Sequence, residues 1–144
     1  MDHPDRIDLI VCSLTPETAL QVFLAGRDRS GRPLRPSRVA AVERELTGVF
    51  GGSTTIRATG NWRDGADRLV REPVLIIEVH PTAPLSDVDR HRLRSCLSRI
   101  LTDLDQEVLA AVVKTTGRMR LVPRTRSSDT DPELLTTSAE EATQ

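Results

Sequence analysis

The stretch EPVLIIEVH, residues 72–80, decides the fold because it is the strongest strand-forming segment of the chain. Its four middle residues, VLII, are apolar at successive positions, which is typical of a central strand. Glu72, Glu78 and His80 have the same parity as Val74, so their side chains project from one face. Two carboxylates and an imidazole are costly to bury beneath helices. We therefore expect this face to be the open face of the sheet.

The segments around this strand alternate between strand and helix patterns. β-Branched and apolar runs predict strands at 7–14, extended by or paired with 20–25, at 53–59 and at 107–113, with a short edge piece at 119–122. Apolar residues at helical spacing predict one helix from Ser37 to Phe50 and a second that begins at the capping box Ser86-x-x-Asp89. A basic loop at 26–33 and a loop or hairpin at 60–71 separate these elements.

The predicted order is β-α-β-β-α-β, which indicates a ferredoxin-like α+β domain over residues 6–122. One antiparallel sheet would then carry two helices on a single face. The segment 123–144 is rich in Ser, Thr, Asp and Glu and lacks apolar periodicity, so we predict a disordered tail. We expect the third strand to run antiparallel to the other three.

Composition excludes several classes of function. A net charge of −1 argues against bulk attraction to nucleic acid or to a membrane surface. Lys114 is the only lysine, and this excess of arginine is typical of a GC-rich bacterial genome. Cys12 and Cys96 have no metal-ligand spacing around them, so neither a metal nor a cofactor is indicated. The acidic N-terminus lacks a signal-peptide pattern, and we expect a soluble cytoplasmic protein.

Trp62 is the only tryptophan, and the chain has no tyrosine. Its indole either shields apolar side chains of the sheet or stacks on a planar ligand or partner protein. We predict partial burial, with the ring near Glu72 and Thr59. Trp62, Arg63 and Glu72 are the candidate binding residues, together with Thr54 in the row of hydroxyls after Gly52.

Three alternatives apply to the row of ionisable side chains formed by Glu72, Glu78 and His80. They could be a general acid/base pair, half of a metal site, or a solvated surface or dimer interface. The basic loop places Arg27 and Arg32 before a helix N-terminus, where an anion is favoured. These two arginines are the candidate anion-binding residues.

Four short motifs occur together: Gly-x-Thr at 52–54, Gly-x-Trp at 60–62, Glu72 opening a strand, and Gln-Glu-Val at 106–108. Over residues 37–113 the chain thereby resembles a family of uncharacterised bacterial small domains. The resemblance implies no activity. It implies that Thr54, Trp62, Glu72, Gln106 and Glu107 occupy signature positions, although the strand directions expected above place Gln106 away from Trp62.

Two functions remain open on the sequence. The favoured hypothesis is a non-catalytic module that binds a partner protein or a small ligand through Trp62, Arg63 and Glu72. The alternative is a small enzyme in which Glu78 and His80 act as acid and base on an anionic substrate held by Arg27 or Arg32. In both cases the bare sheet face favours a homodimer.

Overall fold

The computed structural model describes residues 3–106 and 109–115. Within these ranges the chain forms three helices and four strands: α1 (His3–Cys12), β1 (Thr18–Ala25), α2 (Pro36–Phe50), β2 (Thr54–Arg63), β3 (Leu69–Val79), α3 (Asp87–Asp103) and β4 (Ala110–Thr115). The protein is α+β, as its sequence predicts. Glu107, the edge piece predicted at 119–122 and the tail predicted from 123 lie outside the described residues.

The four strands form one antiparallel sheet in the order β2-β3-β1-β4. β1 pairs antiparallel with both β3 and β4, so β3 and β4 point the same way. The expectation that β3 opposes all three other strands is therefore wrong. Because β3 and β4 begin at the same end of the sheet, Gln106, just before β4, lies at the end where Trp62 and Glu72 are found.

The N-terminal segment is a helix, not the strand predicted at 7–14. Ile7, Val11 and Leu14 are buried, whereas Asp8 and Leu9 are exposed. Burial therefore repeats every three to four residues, as in a helix, and not every two. Packing of this apolar stripe outweighs the weak helix propensity of its β-branched residues. The helical layer thus contains three helices where two were expected, and the first strand is the segment 18–25.

The helix ends follow local chemistry. α2 begins at Pro36, one residue before the predicted Ser37, because a proline at the first helical position has no N–H to lose and a preset φ. It ends as predicted at Gly51, which adopts a φ of 82° and donates its N–H to Thr47 O at 2.7 Å. The predicted cap of α3 is also confirmed, since the Ser86 hydroxyl accepts the Asp89 N–H at 3.1 Å.

β2 and β3 form one long hairpin across the segment 60–71, which is one of the two alternatives predicted there. Their ladder continues to the pair Arg63↔Leu69, so that Trp62 lies in a strand. The connecting turn is organised by Asp64, whose Oδ1 accepts the N–H groups of Ala66 and Arg68 at 2.9 and 3.0 Å. The hairpin fixes Trp62 to the sheet and therefore restricts where its indole can lie.

All three helices cover one face of the sheet. The single core contains residues from each helix and from the inward positions of β1 and β3: Ile7, Val11, Leu20, Val22, Leu24, Val42, Leu46, Ile77, Val79, Leu93, Leu97 and Ile100. The opposite face has no helix among the described residues. No helix in these ranges is long and apolar enough to cross a membrane.

Candidate functional site

A groove of about 660 Å³ lies on the open face, at the end where β3 and β4 begin. This volume is within the range of small-molecule sites, ~300–1,000 Å³. The groove is lined by three apolar strand residues, by three residues of the β2–β3 hairpin, by two arginines of the loop after β1 and by the residue at position 106. These are Phe23, Val74 and Ala110; Gly60, Trp62 and Glu72; Arg27 and Arg29; and Gln106. The structure thus brings Trp62, Glu72 and Gln106 to one site.

Gly60 makes room for the Trp62 ring. A Cβ atom at position 60 would lie 2.9 Å from Cγ2 of Val74, closer than such contacts occur, and 3.0 Å from Cζ3 of Trp62, tighter than nearly all of them. Residues 60 and 62 project from the same face, so the indole folds back over the glycine. The Trp62 side chain remains 41% exposed. Trp62 is thus an exposed residue, whereas the sequence predicted a partly buried ring near Glu72 and Thr59, and Thr59 projects from the opposite face of the sheet. The Gly-x-Trp motif has a steric explanation.

Glu72 lies directly opposite Gly60 in the β2–β3 ladder, while Trp62 pairs with Val70. Trp62 and Glu72 are therefore diagonal neighbours on one face, a separation that an aromatic side chain can span. Glu72 is half-buried. The groove consequently offers an aromatic surface and a carboxylate side by side, above an apolar floor.

Gln106 fastens the wall of the groove to the end of β1. Its Oε1 accepts the Ala25 N–H at 2.8 Å, and its Nε2 lies 3.3 Å from Ala25 O, 3.4 Å from Arg27 O and 3.2 Å from Leu104 O. The side chain is 6% exposed. The Gln106 amide thereby bonds to Ala25 as a neighbouring strand would. Both polar atoms of the Gln106 side chain have hydrogen-bond partners within the protein. Gln106 stabilises the shape of the groove through the hydrogen bonds of its side chain to the backbone.

The basic loop is ordered by Asp28. Its Oδ1 accepts the Ser30 hydroxyl at 2.7 Å, the Ser30 N–H at 2.9 Å and the Arg32 N–H at 3.0 Å. These bonds, the Ser30 hydroxyl first and then the Arg32 amide, hold the pKa of Asp28 below its ordinary value. Arg27 faces the Trp62 groove, whereas Arg32 faces a separate groove of about 160 Å³ that contains Asp103. The two candidate anion-binding arginines do not converge.

Two other predicted binding residues lie outside the Trp62 groove. Arg63 follows Trp62 directly, so its side chain projects from the opposite face. It donates to Asp67 O at 3.2 Å. Thr54 is on the open face but eight residues earlier on β2, about 26 Å away along the strand. It pairs with Glu78.

Glu78 and His80 form a hydrogen-bonded pair at the other end of the open face. His80 Nε2 lies 2.9 Å from Glu78 Oε1, and Gln21 Nε2 donates to Glu78 Oε2 at 2.6 Å. The Gln21 amide, then His80, hold the pKa of the Glu78 carboxyl below its ordinary value. The pair lines a groove of about 400 Å³ together with Gly52, Ser53 and Thr54.

The predicted combination of this pair with Arg27 or Arg32 is not formed. Glu78 is opposite Gln21, and Arg27 comes six residues later, beyond the far end of β1. At strand spacing this is a separation of about 20 Å. In the described part of the chain, no three His, Cys, Asp or Glu side chains converge as a metal site.

Sequence reasoning missed Phe23 as part of the site. Its parity on β1 is opposite to that of the buried Leu20, Val22 and Leu24, and it is only partly buried. This alternation in the sequence LQVFLA was the signal that could have found it. The sequence singled out Gln106 as a signature position but placed it at the wrong end of the sheet, because the strand directions were assigned wrongly.

Comparisons with known proteins show similarity of fold only. No protein-family model matches the sequence, and no curated protein matches it significantly. Among solved structures, a phage SAM lyase in complex with S-methyl-5'-thioadenosine has a TM-score of 0.52 and 14% identity, over 70% of this chain and 82% of that one. A phage SAM lyase in the apo state has a TM-score of 0.51 and 17% identity, over 72% of this chain and 83% of the other.

The Gln106 bonds give a stability prediction. We expect Gln106→Ala to lower the free energy of unfolding by about 1–3 kcal/mol, because it leaves the Ala25 N–H without its acceptor. Gln106→Glu replaces the amide donor with an oxygen that faces three carbonyl oxygens. Its cost should be large at pH 7 and smaller near pH ~4, where the protonated carboxyl can donate again. Urea denaturation at both pH values measures these differences.

Gln21→Ala is the matched control for this test. Gln21 donates only to the Glu78 side chain, so its loss leaves no backbone group unsatisfied and should cost less than Gln106→Ala. A Gln106→Glu protein as stable as the unchanged protein at pH 7 would contradict the assignment.

Proposed function

We propose that this protein is a module that binds a small ligand carrying a flat heteroaromatic ring, of the nucleoside class, in the Trp62 groove. The observation that carries the proposal is the juxtaposition of the exposed Trp62 ring with the Glu72 carboxylate over an apolar floor. Aromatic faces stack with nucleobases, and a carboxylate accepts hydrogen bonds from ribose or amino groups.

The rigidity of the groove supports a small ligand over a protein partner. The Trp62 ring packs over Gly60, the Gln106 amide bonds to the end of β1, and the Asp28 carboxylate bonds to the loop that carries Arg27. A site whose walls are already in place loses little conformational entropy when a ligand binds. Its concave shape and volume are those of a ligand site.

The fold supports the same proposal by analogy. An antiparallel sheet in the order β2-β3-β1-β4, with helices on one face, supports a ferredoxin-like domain to which α1 is added. The similar phage SAM lyase is in complex with S-methyl-5'-thioadenosine. A thioadenosine is therefore the first ligand to test on this chain.

Titration with S-methyl-5'-thioadenosine should quench the fluorescence of Trp62 in a saturable manner, since this is the only tryptophan. Glu72→Gln should weaken binding by about tenfold, or ~1.4 kcal/mol. Gly60→Ala should also weaken it, because the added methyl group displaces the indole. Isothermal titration calorimetry gives the same constants without relying on Trp62 as the reporter.

Glu17→Gln is the control for Glu72→Gln, because Glu17 is exposed in the turn before β1. It should bind as the unchanged protein does. Absence of saturable binding in both assays would exclude the nucleoside class. Unchanged affinity in both groove variants would exclude the groove.

We further propose that a second copy of the chain covers the apolar part of the open face. Ile56 and Val112, on the two edge strands, are 45% and 43% exposed there, and the partly buried Ile76 and Phe23 lie on the same face between them. A two-fold interface needs only one self-complementary patch. Such a homodimer would leave the sheet with both faces covered.

Light scattering should return about twice the 15.9 kDa mass of one chain, and Ile56→Arg should reduce it to that of the monomer. Leu69→Arg is the control, because Leu69 is 66% exposed on the same hairpin but on the opposite face. A monomeric mass for the unchanged protein at micromolar concentration would reject this assembly.

The second candidate function is acid/base catalysis by Glu78 and His80. The observation that favours it is their hydrogen bond of 2.9 Å in an accessible groove. Any turnover that the protein shows should then be lost in His80→Asn and in Glu78→Gln. Full activity in both variants would exclude this function.

A further inference from the structure

The groove at the other end of the open face contains donors with the spacing of a chelate. Glu78 and His80 are two residues apart on one strand, so both side chains project from the same face. Glu78 Oε1 and His80 Nε2 are 2.9 Å apart, and the side chains are 27% and 19% exposed. They are accessible to a solute, and a hydrogen bond joins them.

We propose that Glu78 and His80 together chelate a first-row divalent metal ion of the Ni²⁺ or Cu²⁺ type. Metal–nitrogen and metal–oxygen bonds of ~2.0–2.2 Å with donors 2.9 Å apart enclose an angle of about 90°. This is the angle of octahedral and tetragonal coordination. A tetrahedral Zn²⁺ ion would require the two donors to separate to roughly 3.4 Å.

The groups around the pair favour ligation. Gln21 Nε2 donates to Glu78 Oε2 at 2.6 Å, which leaves Oε1 for the metal and fixes the carboxylate plane. Binding at Nε2 requires the neutral imidazole to carry its proton on Nδ1. In the free protein the Nε2–H donates to the Glu78 carboxylate, so the metal takes the place of this proton, which passes to solvent while Nδ1 keeps or takes up a proton.

The groove also has space for the rest of the coordination sphere. A Cβ atom at Gly52 would meet nothing within 4 Å, so the rim beside the pair is open. Thr54 lies directly opposite Glu78, and its hydroxyl can bond to a coordinated water. With two protein ligands, water molecules occupy the remaining positions. The positive charge of Lys114 acts on Glu78, and it should therefore repel the metal ion.

This site is independent of the ligand groove in the proposed function. Trp62 is eight residues from Thr54 on β2, about 26 Å along the strand. A metal ion on His80 also occupies the nitrogen that acid/base catalysis would need. The chelate and the acid/base pair are therefore alternative uses of the same two side chains.

The test is calorimetric titration with NiCl₂ in a buffer that does not bind metal. The chain has three histidines, so His3→Ala serves as the starting protein and leaves only His80 and His91 as imidazole donors. One ion should bind per chain. His80→Asn and Glu78→Gln should each weaken binding by about tenfold or more, whereas the exposed His91→Asn should not change it. Lys114→Met should strengthen binding.

A second measurement does not depend on the folding of any Glu78 or His80 variant. Ni²⁺ is paramagnetic, so NMR of the His3→Ala protein should show line broadening centred on the His80 imidazole and on β3. Saturable binding with broadening at His80 supports the chelate. No saturable heat at millimolar NiCl₂, or broadening centred on His91, would overturn it. Neither result changes the expected thioadenosine titration, which tests the other groove.

Discussion

The structure depends on the alternation of side chains along β3. Ile77 and Val79 are fully buried beneath the helices, which forces Glu72, Ile76 and Glu78 onto the opposite face. A one-residue shift would place carboxylates under the helices at a prohibitive cost. Register is therefore strongly specified in this strand. Its neighbours take their orientation from it, because Phe23 pairs with Ile76 and Gly60 with Glu72.

The direction of the strands then decides which residues meet. β3 and β4 begin at one end of the sheet, so Trp62, Glu72 and Gln106 share a groove although all of β3 and α3 lie between Trp62 and Gln106 in the sequence. Thr54 and Glu78 lie at the other end with His80. The open face thus has two chemically different grooves joined by an apolar strip, of which Ile56 is a part.

Two details show how the backbone fixes the ligand groove. Gly60 is required because the Trp62 ring and Val74 occupy the space of its missing side chain. Gln106 is required because its amide oxygen accepts the Ala25 N–H at the end of β1. Both residues act through geometry, so their substitution should alter the groove without removing a ligand contact.

The sequence by itself determined the local features. The Gly51 stop, the Ser86 cap and the parity of Glu72, Glu78 and His80 depend only on neighbouring residues, and the structure agrees with each. The segment 7–14 was misassigned because β-branched residues suit both a strand and a buried helix, and only packing selects between them.

Tertiary structure alone decided the composition of the sites. Whether Gln106 joins Trp62, and whether Arg27 approaches Glu78, depends on strand direction and on distances across the sheet. The local sequence pattern does not specify strand direction or these distances. They depend on contacts between residues far apart in the sequence, which form only when the whole core packs.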